Sequence, residues 1–117
     1  MNIRMVGWTP ILTAAFLFQT QPVAAASKSG DDLLTQCQIS NNLAVIACHI
    51  YIHAIQDVLA ENTVKGYRVC VPASTDIDQS VKVIVDWLMQ HPEKRKHPAS
   101  DLVAHALWET YPCKEKR

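Results

Sequence analysis

Four cysteines and a pair of histidines hold most of the chemistry this sequence offers. Cys37, Cys48, Cys70 and Cys113 follow one another at spacings of 11, 22 and 43 residues. None of these spacings is the Cys-x-x-Cys knuckle of a zinc ribbon. An even number of cysteines without such a knuckle reads as a disulfide framework. A disulfide has no thiolate to offer, so these cysteines are not nucleophiles. His49, His53 and Asp57 recur every four residues, which puts them on one helical face where zinc or copper chemistry is conceivable. A catalytic zinc takes three protein ligands, and no His-Glu-x-x-His motif supplies them. The stripe therefore reads as the polar side of a helix, with no metal and no cofactor. Ser74, Ser80 and Ser100 stand in capping or helix-surface contexts without a nucleophile elbow. The expectation is a protein that is not an enzyme.

Disulfides need an oxidising compartment, and the start of the chain points to one. Met1 to Arg4 is short and positive, Pro10 to Phe18 is uncharged and largely apolar, and Val23-Ala24-Ala25-Ala26 is a run of small residues. Positive end, apolar middle and Ala-x-Ala exit are the parts of a secretory signal peptide. The apolar core falls short of the roughly 20 residues that cross a bilayer. Cleavage after Ala26 makes residues 1–26 a leader and 27–117 a single exported domain of 91 residues. That domain keeps 10 basic and 11 acidic side chains. Nucleic-acid binding draws on a basic excess that is absent here. A chain this short buries only about two-thirds of its unfolded surface, so covalent staples have work to do.

The elements that position these residues are helical. Asp31 to Gln38 reads as a short first helix with its acidic residues at the positive end. Ser40-Asn41-Asn42 caps a second, Leu43 to Leu59, which is so apolar that it is expected at the centre, buried on most sides. Glu61 to Tyr67 forms a loop broken by Gly66, and Val69-Cys70-Val71-Pro72 is extended because a residue before proline avoids helical geometry. Ser74 or Thr75 is expected to cap a third helix, whose apolar residues Ile77, Val81, Ile84 and Leu88 step by four, three and four, one helical face. His91-Pro92 ends it. Pro98 suits the first turn of a fourth helix, with Leu102, Val103, Ala106 and Leu107 facing inward. The fold class is all-α, a small four-helix domain with two disulfides.

The helices constrain the pairing of the cysteines. Helices three and four share a short connection and so form an antiparallel hairpin. The start of helix three then lies beside the end of helix four, which brings Cys70 to Cys113 and leaves Cys37 for Cys48. By loop-closure entropy the two bridges contribute about 4 and about 3 kcal/mol.

These residues together carry a resemblance. A cysteine precedes the second helix, and Cys48-x-x-Tyr51-Ile52-x-Ala54-x-x-Asp57 lies within it. Cys70-Val71-Pro72 leads into the third, His91-Pro92 ends it, and Tyr111-Pro112-Cys113 closes the chain. The ordered set, spanning residues 31 to 113, resembles the Rap/Tai family of periplasmic immunity proteins. The resemblance implies a small exported helical protein that binds and blocks a peptidoglycan-cleaving amidase delivered by type VI secretion. It implies a protein partner, steric inhibition and no chemistry of its own. A homodimer is compatible with it. The alternative is a periplasmic stress chaperone of the HdeA kind, which shares this size and disulfide use.

Partner-binding residues are sought among exposed charge and large aromatics. Glu93-Lys94-Arg95-Lys96-His97 is a charged linker suited to an acidic partner surface through Lys94, Arg95 and Lys96. Trp87 and Trp108 flank the stripes of helices three and four, and large aromatics of this sort anchor interfaces or close the core.

Overall fold

A computed structural model describes residues 27–114, together with Gly7 and Ala15. The leader expected at 1–26 otherwise lies outside the described residues, as do the last three, 115–117. Among the described residues four α-helices and one short 3-10 turn make up the regular structure: α1 (Gly30–Gln38), α2 (Asn42–Glu61), α3 (Ile77–Gln90), the turn Pro92–Lys94, and α4 (Ala99–Thr110). Among the described residues β-pairing is confined to three isolated bridges.

Each of the first three helices begins where a side chain satisfies its free N–H groups. Ser29 caps α1. Its hydroxyl accepts from the Asp32 N–H, while the Asp32 carboxylate accepts from the Ser29 backbone and hydroxyl. That backbone bond, and then the hydroxyl, hold the Asp32 carboxyl below the usual carboxylate range. Asn41 caps α2 by accepting from the Ala44 N–H at 2.9 Å. Asp76 caps α3 in a reciprocal box with Gln79. The expected caps, Ser74 and Thr75, are displaced because Thr75 N–H donates to the Pro72 carbonyl at 2.9 Å. That turn keeps residues 72–75 out of the helix, and α3 starts after Asp76.

The hairpin of α3 and α4 forms as expected, and so do both disulfides, Cys37–Cys48 and Cys70–Cys113. Beside the second bridge the Cys70 N–H donates to the Tyr111 carbonyl, and Val69 pairs with Pro112. The chain end is thus tied to the approach to α3 by covalent and hydrogen bonds together.

The expectation of a central second helix fails. The centre of the domain is α4, which buries Ala99, Leu102, Val103, Ala104, Ala106 and Leu107. Around it lie Leu33 and Leu34 of α1, Cys48, Ile52 and Leu59 of α2, and Ile84, Trp87 and Leu88 of α3. The second helix is peripheral: Leu43 is 80% exposed, Ile46 53%, Ile50 64% and Val58 48%. The physical reason is size. The alanines of α4 let three neighbours approach closely, and a domain this small has room for only one helix surrounded on all sides.

The segment after α3 is also less free than its charges suggest. Gly30 N–H donates to the His97 carbonyl and Asp31 N–H to that of Arg95, both at 3.0 Å, while Ala99 N–H donates to the Lys28 carbonyl at 2.7 Å. Gly30 is required by this close approach. A methyl there would stand 2.5 Å from Leu102 Cδ1 and 3.0 Å from the Arg95 backbone. The charged linker therefore clamps the start of α1 instead of looping through solvent.

Candidate functional site

Two surfaces carry side chains that a partner would meet. The first is the outer face of α2. At about 100° per residue, Cys48, Ile52 and Leu59 point one way, into the core, and Leu43, Ile46, Ala47, Ile50, Ala54 and Val58 point the other. The helix is long and apolar enough to cross a membrane by length and composition, yet only 17% of its most apolar window is buried. Its disulfide to α1 and its packing on α1, α3 and α4 make it part of the domain. A shallow groove of about 330 Å³ runs along one edge of this face, lined by His49, Ile50, His53, Ala54, Asp57 and Ile77.

The two histidines do not converge on a common point. His49 Nε2 meets Asp78 Oδ1 of α3 at 3.3 Å, and His53 Nδ1 meets Asp57 Oδ2 at 3.4 Å. Among the described residues no group of three or more histidines, cysteines or carboxylates is placed to hold a metal ion. His49 instead ties α2 to the first turn of α3, beside the apolar face.

The second surface lies on the α3–α4 hairpin and is aromatic. Trp87 Nε1–H donates to Glu109 Oε2 at 2.9 Å, and the other carboxylate oxygen of Glu109 meets His105 Nε2 at 3.0 Å. Tyr67 stacks on His105 with ring centres 4.8 Å apart, and Trp108 tilts against Tyr67 at 5.3 Å. On the far side His91 stacks on Trp87 at 4.1 Å, and Lys94 Nζ stands 5.9 Å from the Trp87 ring. The carboxylate of Glu109 fixes two rings at once, so the cluster is pre-ordered and a partner would not have to immobilise it.

The sequence-derived contact residues divide on this map. Trp108 is exposed and Lys94 half-buried, and Tyr67, His105 and Trp87 link them across the hairpin. Trp87 is itself buried, a wall of the cluster more than a contact. Arg95 turns the other way, toward Asp31 Oδ1 at 3.8 Å, while Lys96 is exposed. Sequence pattern alone does not single out Tyr67, His105 and Glu109. His105, Trp108 and Glu109 do share one side of α4 by spacing, but Tyr67 arrives only through the Lys65-Gly66 turn, where both φ angles are positive.

A disulfide-stapled helical domain that offers one apolar and one aromatic surface is, by class, a protein-binding domain. The family follows from the chain itself: residues 29–113 match the model of the Rap1a immunity proteins, and the chain belongs to that family. It is an immunity-type protein, an inhibitor by family, whose partner is an effector protein. No curated protein and no solved structure matches it.

Proposed function

We propose that the chain is exported, trimmed after Ala26, and binds a peptidoglycan amidase effector of type VI secretion in the periplasm, blocking its cleft. The observation that carries this reading is the family match over residues 29–113. The pairing of all four cysteines supports an oxidising compartment. Inhibition is steric. A rigid, pre-ordered surface excludes substrate without performing chemistry, and the Trp108, Tyr67 and Lys94 cluster is the surface best suited to the effector. Aromatic anchors with an adjacent cation are the side chains that concentrate binding energy.

The test is protection in living cells. A peptidoglycan amidase encoded beside this gene would be directed to the periplasm of a sensitive host and lysis followed by turbidity. Co-expression of the full chain should prevent lysis, and the chain lacking residues 1–26 should not. Protection by the leaderless chain would overturn the periplasmic reading, and lysis despite periplasmic accumulation of the protein would overturn amidase blocking. Trp108→Ala should weaken protection while leaving the protein's abundance unchanged.

A further inference from the structure

The chain has an open edge beside the C-terminal half of α2. Val69 to Val71 form a strand-like stretch between the Tyr67 turn and Pro72. One side of it pairs with the chain end, through the Cys70 N–H to the Tyr111 carbonyl and the Val69–Pro112 bridge. Successive residues of such a stretch turn their amides to opposite sides. Val71 therefore faces away from the chain end, and among the described residues its N–H and carbonyl make no backbone hydrogen bond. Next to it lies a trough of about 440 Å³, walled by His53, Gln56 and Asp57 of α2 and by Val71, Pro72 and Thr75. Gln56 Oε1 is shut off from solvent and accepts no hydrogen bond. An acceptor in that state costs free energy, which a donor brought into the trough recovers once the amide turns toward it.

We propose that this trough is a docking site for an extended, basic peptide segment of a partner protein, which adds as a short strand along Val71. An unpaired strand edge is a template for main-chain pairing. Pro72 has no N–H to offer, so the added strand is short and its register centres on Val71. The Gln56 amide supplies a further acceptor from the opposite wall.

Charge selects the peptide. The two segments that build the walls, 42–61 and 69–81, hold the carboxylates Asp57, Glu61, Asp76 and Asp78 and no Lys or Arg. The chain as a whole carries no net charge, so this side is acidic while the cations lie elsewhere. His49 and His53, set against Asp78 and Asp57, are the wall side chains that can become cationic, and only by protonation. A lysine or arginine presented to Asp57 gains a charge-assisted hydrogen bond, whereas an acidic peptide is repelled. The trough shares no residue with the aromatic cluster, and its chemistry is the same whether or not the effector is an amidase.

The experiment is an NMR titration of the exported, processed protein with the peptide acetyl-Val-Lys-Val-Lys-Val-Lys-amide. Saturable shifts should centre on the Val71 N–H and the Gln56 side-chain amide. The same peptide with Glu in place of Lys should bind at least about tenfold more weakly. A lysine peptide N-methylated at alternate residues keeps its charge but loses the donors of one edge, and it should weaken to a similar degree. On the protein side, Gln56→Met should reduce affinity about threefold, and Asp57→Asn should reduce both affinity and its sensitivity to salt. The two altered peptides probe the same contacts on wild-type protein, whatever the substitutions do to stability. The absence of saturable shifts at Val71 up to several millimolar peptide overturns the proposal. Equal affinity for the lysine and glutamate peptides, or for the methylated one, overturns it too. Shifts confined to the Trp108 surface would give the peptide to the aromatic cluster, and a fall in mass on titration would give the trough to a second copy; either result equally overturns it.

Discussion

The helix richest in apolar residues is the least buried, and the helix at the centre of the fold is a short one built largely on alanine. α2 has 20 residues and buries three, whereas α4 has 12 and buries six. Both obey the same physics. A stripe of leucine and isoleucine needs a partner somewhere, and α2 satisfies only one side of itself within its own chain. Small residues, in contrast, are valuable at the centre because they cost little room, and Ala99, Ala104 and Ala106 let Leu102, Val103 and Leu107 meet three neighbours. Hydrophobic pattern thus reports how much surface wants covering. It does not report which molecule covers it.

The largest test of this contrast uses the two disulfides, one stapling α2 and the other closing the α3–α4 hairpin. Cys70→Ser with Cys113→Ser should cost about 4 kcal/mol, and Cys37→Ser with Cys48→Ser about 3. The melting temperature should therefore fall further for the first pair. α1 narrows the difference, because it buries Leu33 and Leu34 and packs extensively on α2. Equal or reversed shifts in thermal melts would make the α1–α2 end as central to stability as the hairpin.

Next come single side chains from each helix. Leu107→Ala opens a cavity in a fully buried site and should cost about 3 kcal/mol, roughly 12–24 °C in melting temperature. Ile50→Ala, measured in dilute protein, should fall within about 0.5 kcal/mol of wild type. A comparable loss at both positions would place α2 in the core after all.

A smaller effect is expected where the linker clamps α1. Gly30→Ala forces a methyl against Leu102 and the Arg95 backbone and should cost about 1–3 kcal/mol. Denaturant melts would measure it, and a neutral result would show that residues 95–97 shift aside readily.

The smallest effect is a pH dependence at the same end. The Asp32 carboxyl lies below its unfolded value because the ionised form accepts hydrogen bonds from Ser29. Its stabilisation is complete above the unfolded carboxylate range and fades as pH falls through the folded value. Acid should loosen the start of α1 modestly, and Asp32→Ala should flatten that part of the stability–pH curve. A rigid inhibitor keeps a cooperative melt from about pH 7 to about pH 3. A wholesale change to a dye-binding state in that interval would favour the stress chaperone.

Much of this architecture was legible in the residues. The stepping of Ile77, Val81, Ile84 and Leu88 and the short connection from His91 to Pro98 gave the hairpin, and the hairpin gave both cysteine pairs. The position of α2 was not legible, because its pattern is equally that of a buried helix and of one whose outer face meets another molecule. The aromatic cluster escaped for a different reason. It joins Tyr67, Trp87 and His105 from three separate segments, and only the folded hairpin sets Glu109 beside Trp87. The α3 cap was missed by one or two residues because a turn begun at Pro72 competes with the helix for Thr75.

The clamp between residues 28–31 and 95–99 imposes an order of events. Under the proposed cleavage after Ala26, a single residue, Ser27, would separate the scissile bond from Lys28, whose carbonyl is committed to Ala99. A peptidase that reads extended chain on both sides of its cut cannot work on a docked segment, so the proposed trimming would have to precede the last step of folding. The first part of the domain to cross the membrane would then wait, unpaired, for almost the last part to arrive. On the proposed route, maturation would be a closing of the chain's two ends, with leader removal as its gate.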